Sequence, residues 1–336
     1  MIASKFDPLK HGLPYKNGSF KFKVGPVSCS VLCGGISYTA LDYFYTGIVP
    51  PKSPKTPADG NPMEAYLYRR QVTAHFYTWH RFAAVWSGDL PLVGIILRPI
   101  VGAVEQDSLK DLCIHLASRP VILCLFGGMG EGHHVVASAC DPGKKQIQLY
   151  DSNHPGTISL LTHVSGGWLH SNSGTKWRGW FMDWGHYTDG TKMPPLAFRY
   201  CRTCHGLNTN SLGMQGGCIN GAGHDNNPDL EYFLPWKAGE GQGGWKVCGK
   251  CQGLYRQTGG DVPFCPALGM HLPQQNNVNW QELGVMTGGA GETGWRRCSI
   301  CTSLVWGKNN DFGKCTSGES HSPVPNESYV VDYRTI

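Results

Sequence analysis

The chain has 336 residues, of which 40% are apolar and 11% aromatic, and it carries a net charge of +5. This length indicates two domains that can each bury a core, and the aromatic content excludes an intrinsically disordered chain. No apolar run reaches the ~18 residues of a membrane-spanning helix, and we expect no classical signal peptide. The basic residues are scattered, which argues against a nucleic-acid partner.

In residues 1–195, the sequence pattern predicts helices first and antiparallel strands after them. Such an order is typical of an α+β domain. A hairpin turn is expected at 141–144, where the sequence reads DPGK. The predicted helices cover 33–46, 62–86 and 106–118, and the predicted strands cover 120–126, 133–140, 146–151 and 177–184.

Cys33 is the candidate nucleophile of this first half. It is expected at the N-terminus of a helix, where backbone amides and the helix dipole stabilise a thiolate. Gly34 and Gly35 follow it and are expected to leave room for a substrate backbone. His134 lies in a predicted strand and Asp151 ends the next one, so a hairpin can place the two side by side. Cys, then His, then Asp is the chain order of papain-like hydrolases.

Two positions offer alternatives within this predicted triad. Asn153 shares a strand face with Asp151 and is the alternative orienting residue. His133 is expected on the opposite strand face from His134, as a supporting or surface residue. The remaining cysteines of this half are expected to be ordinary core or loop thiols: Cys29, Cys113, Cys124 and Cys140.

Three stretches of this half resemble motifs of the papain-like cysteine peptidase superfamily, in a group found in bacteria and fungi. They read CGGISYTALDYF, EGHHVVASA and LYDSNHPG, and the resemblance covers residues 12–185. It implies a papain-like fold with Cys33 as nucleophile, His134 as base and Asp151 as the orienting residue. Papain-like enzymes place a Gln shortly before the Cys for the oxyanion hole; this chain has none there, which leaves Ser28 or Asn17 as candidate donors.

The second half repeats one cysteine and histidine pattern three times, always C-x2-C-x13-C-x5-H. Three thiolates and an imidazole match a closed, tetrahedral, structural zinc site, so we expect three zinc ions. Disulfides within a repeat would leave one Cys over in each. The predicted ligand sets are Cys201, Cys204, Cys218 and His224; Cys248, Cys251, Cys265 and His271; and Cys298, Cys301, Cys315 and His321.

Residues outside the ligand sets also recur at the same offsets from the ligands, which indicates one structural unit used three times. An aromatic residue stands three positions before the first Cys of each set: Phe198, Trp245 and Trp295. The expected units cover about 196–242, 243–292 and 293–336. High glycine content and short aromatic strands predict an all-β domain, and the shared aromatic positions favour a β-trefoil over three separate zinc ribbons. The repeat resembles terminal repeats of secreted or toxin-like bacterial and fungal proteins.

The sequence therefore predicts a papain-like cysteine hydrolase in residues 1–195 and a zinc-stabilised binding domain in residues 196–336. The hydrolase is expected to cleave or transfer a peptide or side-chain amide of a protein or peptide substrate. A carbohydrate or a protein is the expected ligand of the repeat domain. The alternative is an inactive papain-like scaffold that acts as a lectin-like or protein-binding module. The expected location is the cytoplasm, or outside the cell after export without a classical signal peptide.

Overall fold

The fold is taken from a computed structural model of the chain. It describes residues 1–20, 22–24, 27–29, 31–57, 59–87, 108–183, 193–209, 216–234, 241–257, 263–274, 283–288, 291–307, 310–331 and 333–335. For residues 22–24, 27–29, 87 and 333–335 the backbone alone is described.

The chain divides into two compact units. The first contains Met1–Tyr45, Lys52–Thr56 and Tyr66–Lys192. The second contains Thr46–Pro51, Pro57–Ala65 and Met193–Ile336. The assignment of a hydrolase and a binding domain to residues 1–195 and 196–336 remains a prediction.

Four α-helices are found in the described part of the chain: α1 (Pro8–His11), α2 (Cys33–Thr46), α3 (Pro62–Ser87) and α4 (Leu109–Leu116). The predicted helix at 33–46 has the expected ends, and the one at 62–86 extends by one residue. The third covers Leu109–Leu116 of the predicted 106–118, of which 106 and 107 lie outside the described residues. Its N-cap is Ser108, whose hydroxyl accepts a hydrogen bond from Asp111 N. None of these helices is long and apolar enough to cross a membrane.

Ten strands precede residue 193 in the described ranges. They are β1 (Ile2–Ala3), β2 (Phe22–Val24), β3 (Val27–Cys29), β4 (Val121–Phe126), β5 (Gly132–Asp141), β6 (Gln146–Tyr150), β7 (Ser159–Val164), β8 (Gly167–His170), β9 (Lys176–Trp177) and β10 (Gly179–Met182). β2 and β3 form a hairpin. The others form one antiparallel sheet in the order β10-β4-β5-β6-β7-β8-β9, with β1 on β5. The mixed α and β composition agrees with the prediction.

The core of this unit packs α4 against the sheet. Leu112 and Leu116 of α4 join buried residues of β4 and β5, together with Trp168 and Trp180. Every residue of β4 is buried, because alternate side chains join this core on one face of the sheet and a second cluster with Phe82 of α3 on the other.

Two expectations about this unit are wrong. Cys113 and Cys140 are not free thiols but form a disulfide between α4 and β5. Gly34 and Gly35 do not open space for a substrate, because α3 fills it. A Cβ atom on Gly35 would lie 2.3 Å from the Leu67 carbonyl oxygen, so the glycines instead permit close helix packing.

The remaining strands form small antiparallel sheets. They are β11 (Leu196–Tyr200), β12 (Leu207–Asn208), β13 (Leu230–Leu234), β14 (Gln242–Val247), β15 (Leu254–Arg256), β16 (Leu283–Val285), β17 (Glu292–Arg297), β18 (Leu304–Trp306), β19 (Tyr329–Val331) and β20 (Tyr333–Thr335). The strand orders are β12-β11-β13-β20, β15-β14-β16 and β18-β17-β19. Each repeat thus builds the same three-stranded sheet around the strand that precedes its first Cys, and β20 extends the first sheet.

Equivalent backbone hydrogen bonds join each repeat to the next and the third back to the first. They run from Thr209 N to Gln252 O, from Arg256 N to Thr302 O and from Trp306 N to His205 O, each at 3.0 Å. We call these three bonds the ring bonds. They contradict the alternative of three independent zinc ribbons, because every repeat contributes to its neighbours' backbone pairing. The β-trefoil assignment itself remains a prediction.

Aromatic pairs pack between the repeats. Tyr232 of the first packs edge-on against Trp295 of the third, at 5.3 Å between ring centres. Trp245 of the second does the same with Tyr329 of the third, at 5.2 Å. The two tryptophans, expected from their spacing to form a shared core, are fully buried.

The outer loop between the third Cys and the His has one strained residue. Leu268 has a φ of +71°, where the equivalent positions of the other repeats are Gly221 and Gly318. Its side chain is 84% exposed, so packing does not compensate for this backbone conformation. Among the described residues, only the second repeat exposes large apolar side chains around this loop, namely Phe264, Leu268, Met270 and Leu272.

Replacing Leu268 with Gly should raise the free energy of unfolding of the second unit. Relief of the left-handed conformation contributes about 1–2 kcal/mol, which exceeds the roughly 0.4–1 kcal/mol that glycine costs through the unfolded chain. Thermal unfolding measures the change. Leu272→Gly, at an exposed position just after this loop and outside the left-handed region, should lower the melting temperature. A lower melting temperature for Leu268→Gly as well would contradict the strain.

Candidate functional site

Each predicted zinc ligand set converges in the structure. In all three sets, the three sulfurs and one imidazole nitrogen lie within 4.8 Å of one another. The Sγ atoms of the first and third Cys are 3.9, 3.7 and 3.8 Å apart in the first, second and third set. The second Cys Sγ and the His Nδ1 are 3.6, 3.5 and 3.4 Å apart.

These distances fit a tetrahedral zinc ion. Zinc–sulfur bonds of about 2.3 Å and zinc–nitrogen bonds of about 2.0–2.1 Å give tetrahedral edges of roughly 3.8 Å between sulfurs and roughly 3.5 Å between sulfur and nitrogen. All nine cysteines of the sets are buried. The three sets can therefore hold zinc in closed, structural sites that leave no position for a substrate.

Two of the three histidines are already held in the tautomer that metal binding needs. His224 Nε2 donates to the carbonyl oxygen of Cys251 at 2.8 Å, and His321 Nε2 donates to that of Cys204 at 3.1 Å. A carbonyl oxygen can only accept, so Nε2 carries the proton and Nδ1 keeps a lone pair that faces the sulfurs.

The purified chain should contain three zinc ions. Strong chelation should unfold the second unit and spare the first, because small glycine-rich sheets depend on their metal. Cys251→Ser should lower the count to two, whereas Cys124→Ser, in β4, should leave three. Elemental analysis and limited proteolysis measure these outcomes. A count near zero with the nine thiols oxidised would contradict the metal assignment.

The second candidate site surrounds Cys33 at the beginning of α2. The Leu32 amide that precedes it donates to Asn17 Oδ1 at 2.6 Å, and Gly35 N donates to Gln71 Oε1 at 2.7 Å. These two bonds anchor the first turn of α2. The Cys33 side chain is buried beside two adjacent histidines of β5. Its Sγ is 3.8 Å from His134 Nδ1, and His133 also lies close enough to lower the pKa of the thiol.

The two histidines have different supports. His133 Nε2 lies 2.7 Å from Asp151 Oδ1, and Trp177 stacks parallel to its ring. His134 Nε2 lies 3.0 Å from the Thr78 hydroxyl, which itself donates to Ala74 O. Asp151 therefore supports His133, and the predicted partners His134 and Asp151 are each held by another residue.

A β-bulge explains this exchange of partners. Near the turn, Ala139 pairs with Gln148, but beyond Ser138 the register shifts so that Ala137 pairs with Leu149. One extra residue in β5 moves every side chain on the far side of the bulge from the turn to the other strand face relative to β6. His133, rather than His134, consequently shares the face of Asp151.

Asp151 is surrounded by donors. His170 Nε2 is 3.0 Å from Oδ2, and Asn153 N donates to Oδ1 at 2.8 Å. The predicted alternative, Asn153, also places its Nδ2 at 3.2 Å from His133 Nε2. Asp151, His154 and His170 could also hold a metal ion between them, but the hydrogen bonds of Asp151 favour a role in orienting His133.

Charge in this cluster follows from these contacts. Burial alone would raise the pKa of Cys33, but His133 and His134 lower the pKa of this thiol well below its usual range. Burial would lower the pKa of His133, but Asp151 raises it to about 10. The pKa of His134 also rises to about 10 against the effect of burial, because Cys124 and Cys33 lie beside it. These shifts all favour a thiolate on Cys33 beside protonated imidazoles.

The structure describes the side chain of only one of the two candidate oxyanion-hole donors. Asn17 is buried, and its amide is engaged on both sides, since Nδ2 donates to Asn153 Oδ1 at 3.1 Å. It thus links the start of α2 to the residue next to His133. Ser28 lies in β3, where the backbone alone is described, so its role stays a prediction.

Several residues of this site were not predicted from the sequence. His133, expected as a supporting or surface residue, is buried and bonds to Asp151. The face of α3 formed by Gln71, His75 and Thr78 was not predicted either. Their i, i+4, i+7 spacing on one helix face is the signal that could have shown it, and Gln71 and Thr78 are fully buried.

A comparison with models of protein families finds none that matches the chain, and no curated protein or solved structure matches it significantly. The geometry of the two candidate sites is therefore the basis for any functional assignment.

Proposed function

We propose that the chain is a thiol hydrolase of the papain-like type, joined to a zinc-stabilised binding domain. The observation that supports it most is the convergence of Cys33, His133 and Asp151 from three separate elements. A thiol beside an imidazole that is itself bound to a carboxylate is the arrangement that activates a thiol.

His133 takes the base role in this proposal, in place of the predicted His134. The carboxylate of Asp151 stabilises the imidazolium that forms when a histidine accepts a proton, whereas the Thr78 hydroxyl beside His134 carries no charge. His134 instead contributes a second positive neighbour to the Cys33 thiolate.

The reaction is acyl transfer through a thioester. The Cys33 thiolate attacks the acyl carbon, and His133 gives its proton to the departing amine. Water, deprotonated by His133, then attacks the thioester, and the Cys33 thiolate leaves. The substrate is a peptide bond or a side-chain amide of a peptide or protein. The second unit is proposed to bind a carbohydrate or a protein on its β-trefoil-like scaffold.

An inactive scaffold with a binding role is the second candidate. Only 4% of the Cys33 surface is exposed, and the Gln expected before the nucleophile is absent. In that case Cys33 serves packing, and its ionisation is not needed.

The ionisation of Cys33 separates these candidates. The thiolate absorbs near 240 nm, and the difference between the wild type and Cys33→Ala isolates its titration from that of the other cysteines. Because its pKa is lowered, the Cys33 step should fall well below the usual value of ~8.5. The absorbance should stay constant above that step. A step at about 8.5 would favour the inactive scaffold.

Two variants show which histidine is the base. Asp151→Asn should move the Cys33 step to higher pH and slow its labelling by iodoacetamide, because the His133 imidazolium loses its counter-charge. Thr78→Val removes the support of His134 with little change of shape and should leave the step in place. The reverse result would return the base role to His134. If Cys33→Ala as a whole takes up iodoacetamide as fast as the wild type, Cys33 is excluded as the reactive thiol.

We also propose that the protein functions outside the reducing cytosol. The Cys113–Cys140 disulfide supports this, since structural disulfides persist in oxidising environments. Protein recovered from its native location under acid quench should show these two cysteines protected from alkylation until a reductant is added. Alkylation of both without reductant would favour the cytoplasm.

A further inference from the structure

The histidines that complete the zinc sites also connect one site to another. His224 belongs to the first ligand set, yet its Nε2 holds the backbone carbonyl of Cys251, a ligand of the second. His321 of the third set holds the carbonyl of Cys204, a ligand of the first. In each case an imidazole of one site fixes the backbone of a thiolate ligand in its neighbour.

The third histidine does not repeat this connection. If the second repeat followed the other two, His271 Nε2 would donate to the carbonyl oxygen of Cys301 in the third set. Instead, its Nε2 has no hydrogen-bond partner among the described residues, although it is buried. The His271 ring stacks flat on Tyr255, with 4.5 Å between ring centres. The ring bonds are equal in all three repeats, so this difference is confined to the histidines.

We propose that the three metal sites are thermodynamically coupled in a chain with the first site at its centre. The first and second sites are coupled through His224, and the third and first through His321. The second and third lack such a coupling. This inference rests on the proposed zinc loading and concerns how the ions are retained.

The physical basis is the ordering of ligand backbones. A metal at the first site fixes the His224 ring, and the ring then holds the Cys251 turn in the conformation that binds the second ion. Because coupling between two binding sites is reciprocal, an ion at the second site strengthens the first by the same factor. Partners of this kind typically change metal affinity by about 10–100-fold.

The test replaces each histidine by a cysteine in the full chain. A set of four cysteines still binds zinc in structural sites, so each variant keeps four ligands while losing Nε2. After elemental analysis, the zinc-loaded variants are challenged with a chelator. Timed alkylation and peptide mass spectrometry then report the opening of each cysteine set.

His224→Cys should open the neighbouring set of Cys248, Cys251 and Cys265 about tenfold or more faster than in the wild type. His321→Cys should do the same for Cys201, Cys204 and Cys218. His271→Cys is the matched control, and the set of Cys298, Cys301 and Cys315 should open at its wild-type rate. Unchanged neighbours in all three variants, or an equal effect of His271→Cys, would overturn the proposal.

A second measurement covers variants that load incompletely. Cys265→Ser empties the second site, which should loosen the first set and leave the third unchanged. Cys218→Ser empties the first site and should loosen both others. Equal loosening of every remaining site in both variants would overturn the chain of coupling. A wild-type protein with no zinc would instead reject the metal assignment itself, so the two failures are distinguishable.

Discussion

The ring bonds are the constraint on which the second unit depends. Each uses the backbone amide at the end of a short strand and the carbonyl of the residue that follows a metal ligand, namely His205, Gln252 or Thr302. Those three residues all have a positive φ, between 55° and 58°, which turns the carbonyl towards the amide donor of the preceding repeat in the ring. The turn that presents two thiolates to a metal therefore also pairs with the neighbouring repeat. Metal binding and the assembly of the repeats are parts of one local structure.

Much of this unit could be predicted because the sequence repeats one pattern three times, so that the repeats can be compared with one another. The ligand spacing is the same three times, so chance matches are excluded and the partners within each set follow directly. The aromatic residue before each first Cys could likewise be assigned to a core, as Trp245 and Trp295 confirm. The ring bonds themselves could not be predicted, because spacing within a repeat carries no information about which backbone groups of two repeats pair.

The first unit shows a different limit. Periodicity located α2 and α3 almost to the residue, and it located the strands around the DPGK turn. It did not show β7, β8 or the bulge at Ser138. A single inserted residue is invisible in an apolar strand, yet it decides whether His133 or His134 meets Asp151. The disulfide between Cys113 and Cys140 could not be predicted for a related reason. Whether two cysteines pair depends on how α4 lies on the sheet, which the sequence pattern does not show.

The outer loops of the three repeats have diverged while their backbones have not. The amide of the third Cys bonds to the same carbonyl position at 2.7 Å in every repeat. Around it stand glycines in the first loop, apolar side chains such as Phe264 in the second, and Lys314 with serine in the third. A fold with a single copy of this loop must use it both to maintain the scaffold and to present a binding surface. With three copies, different loops can serve these two purposes. One loop can acquire a new surface, even at the cost of a strained residue, while the other two copies continue to maintain the scaffold.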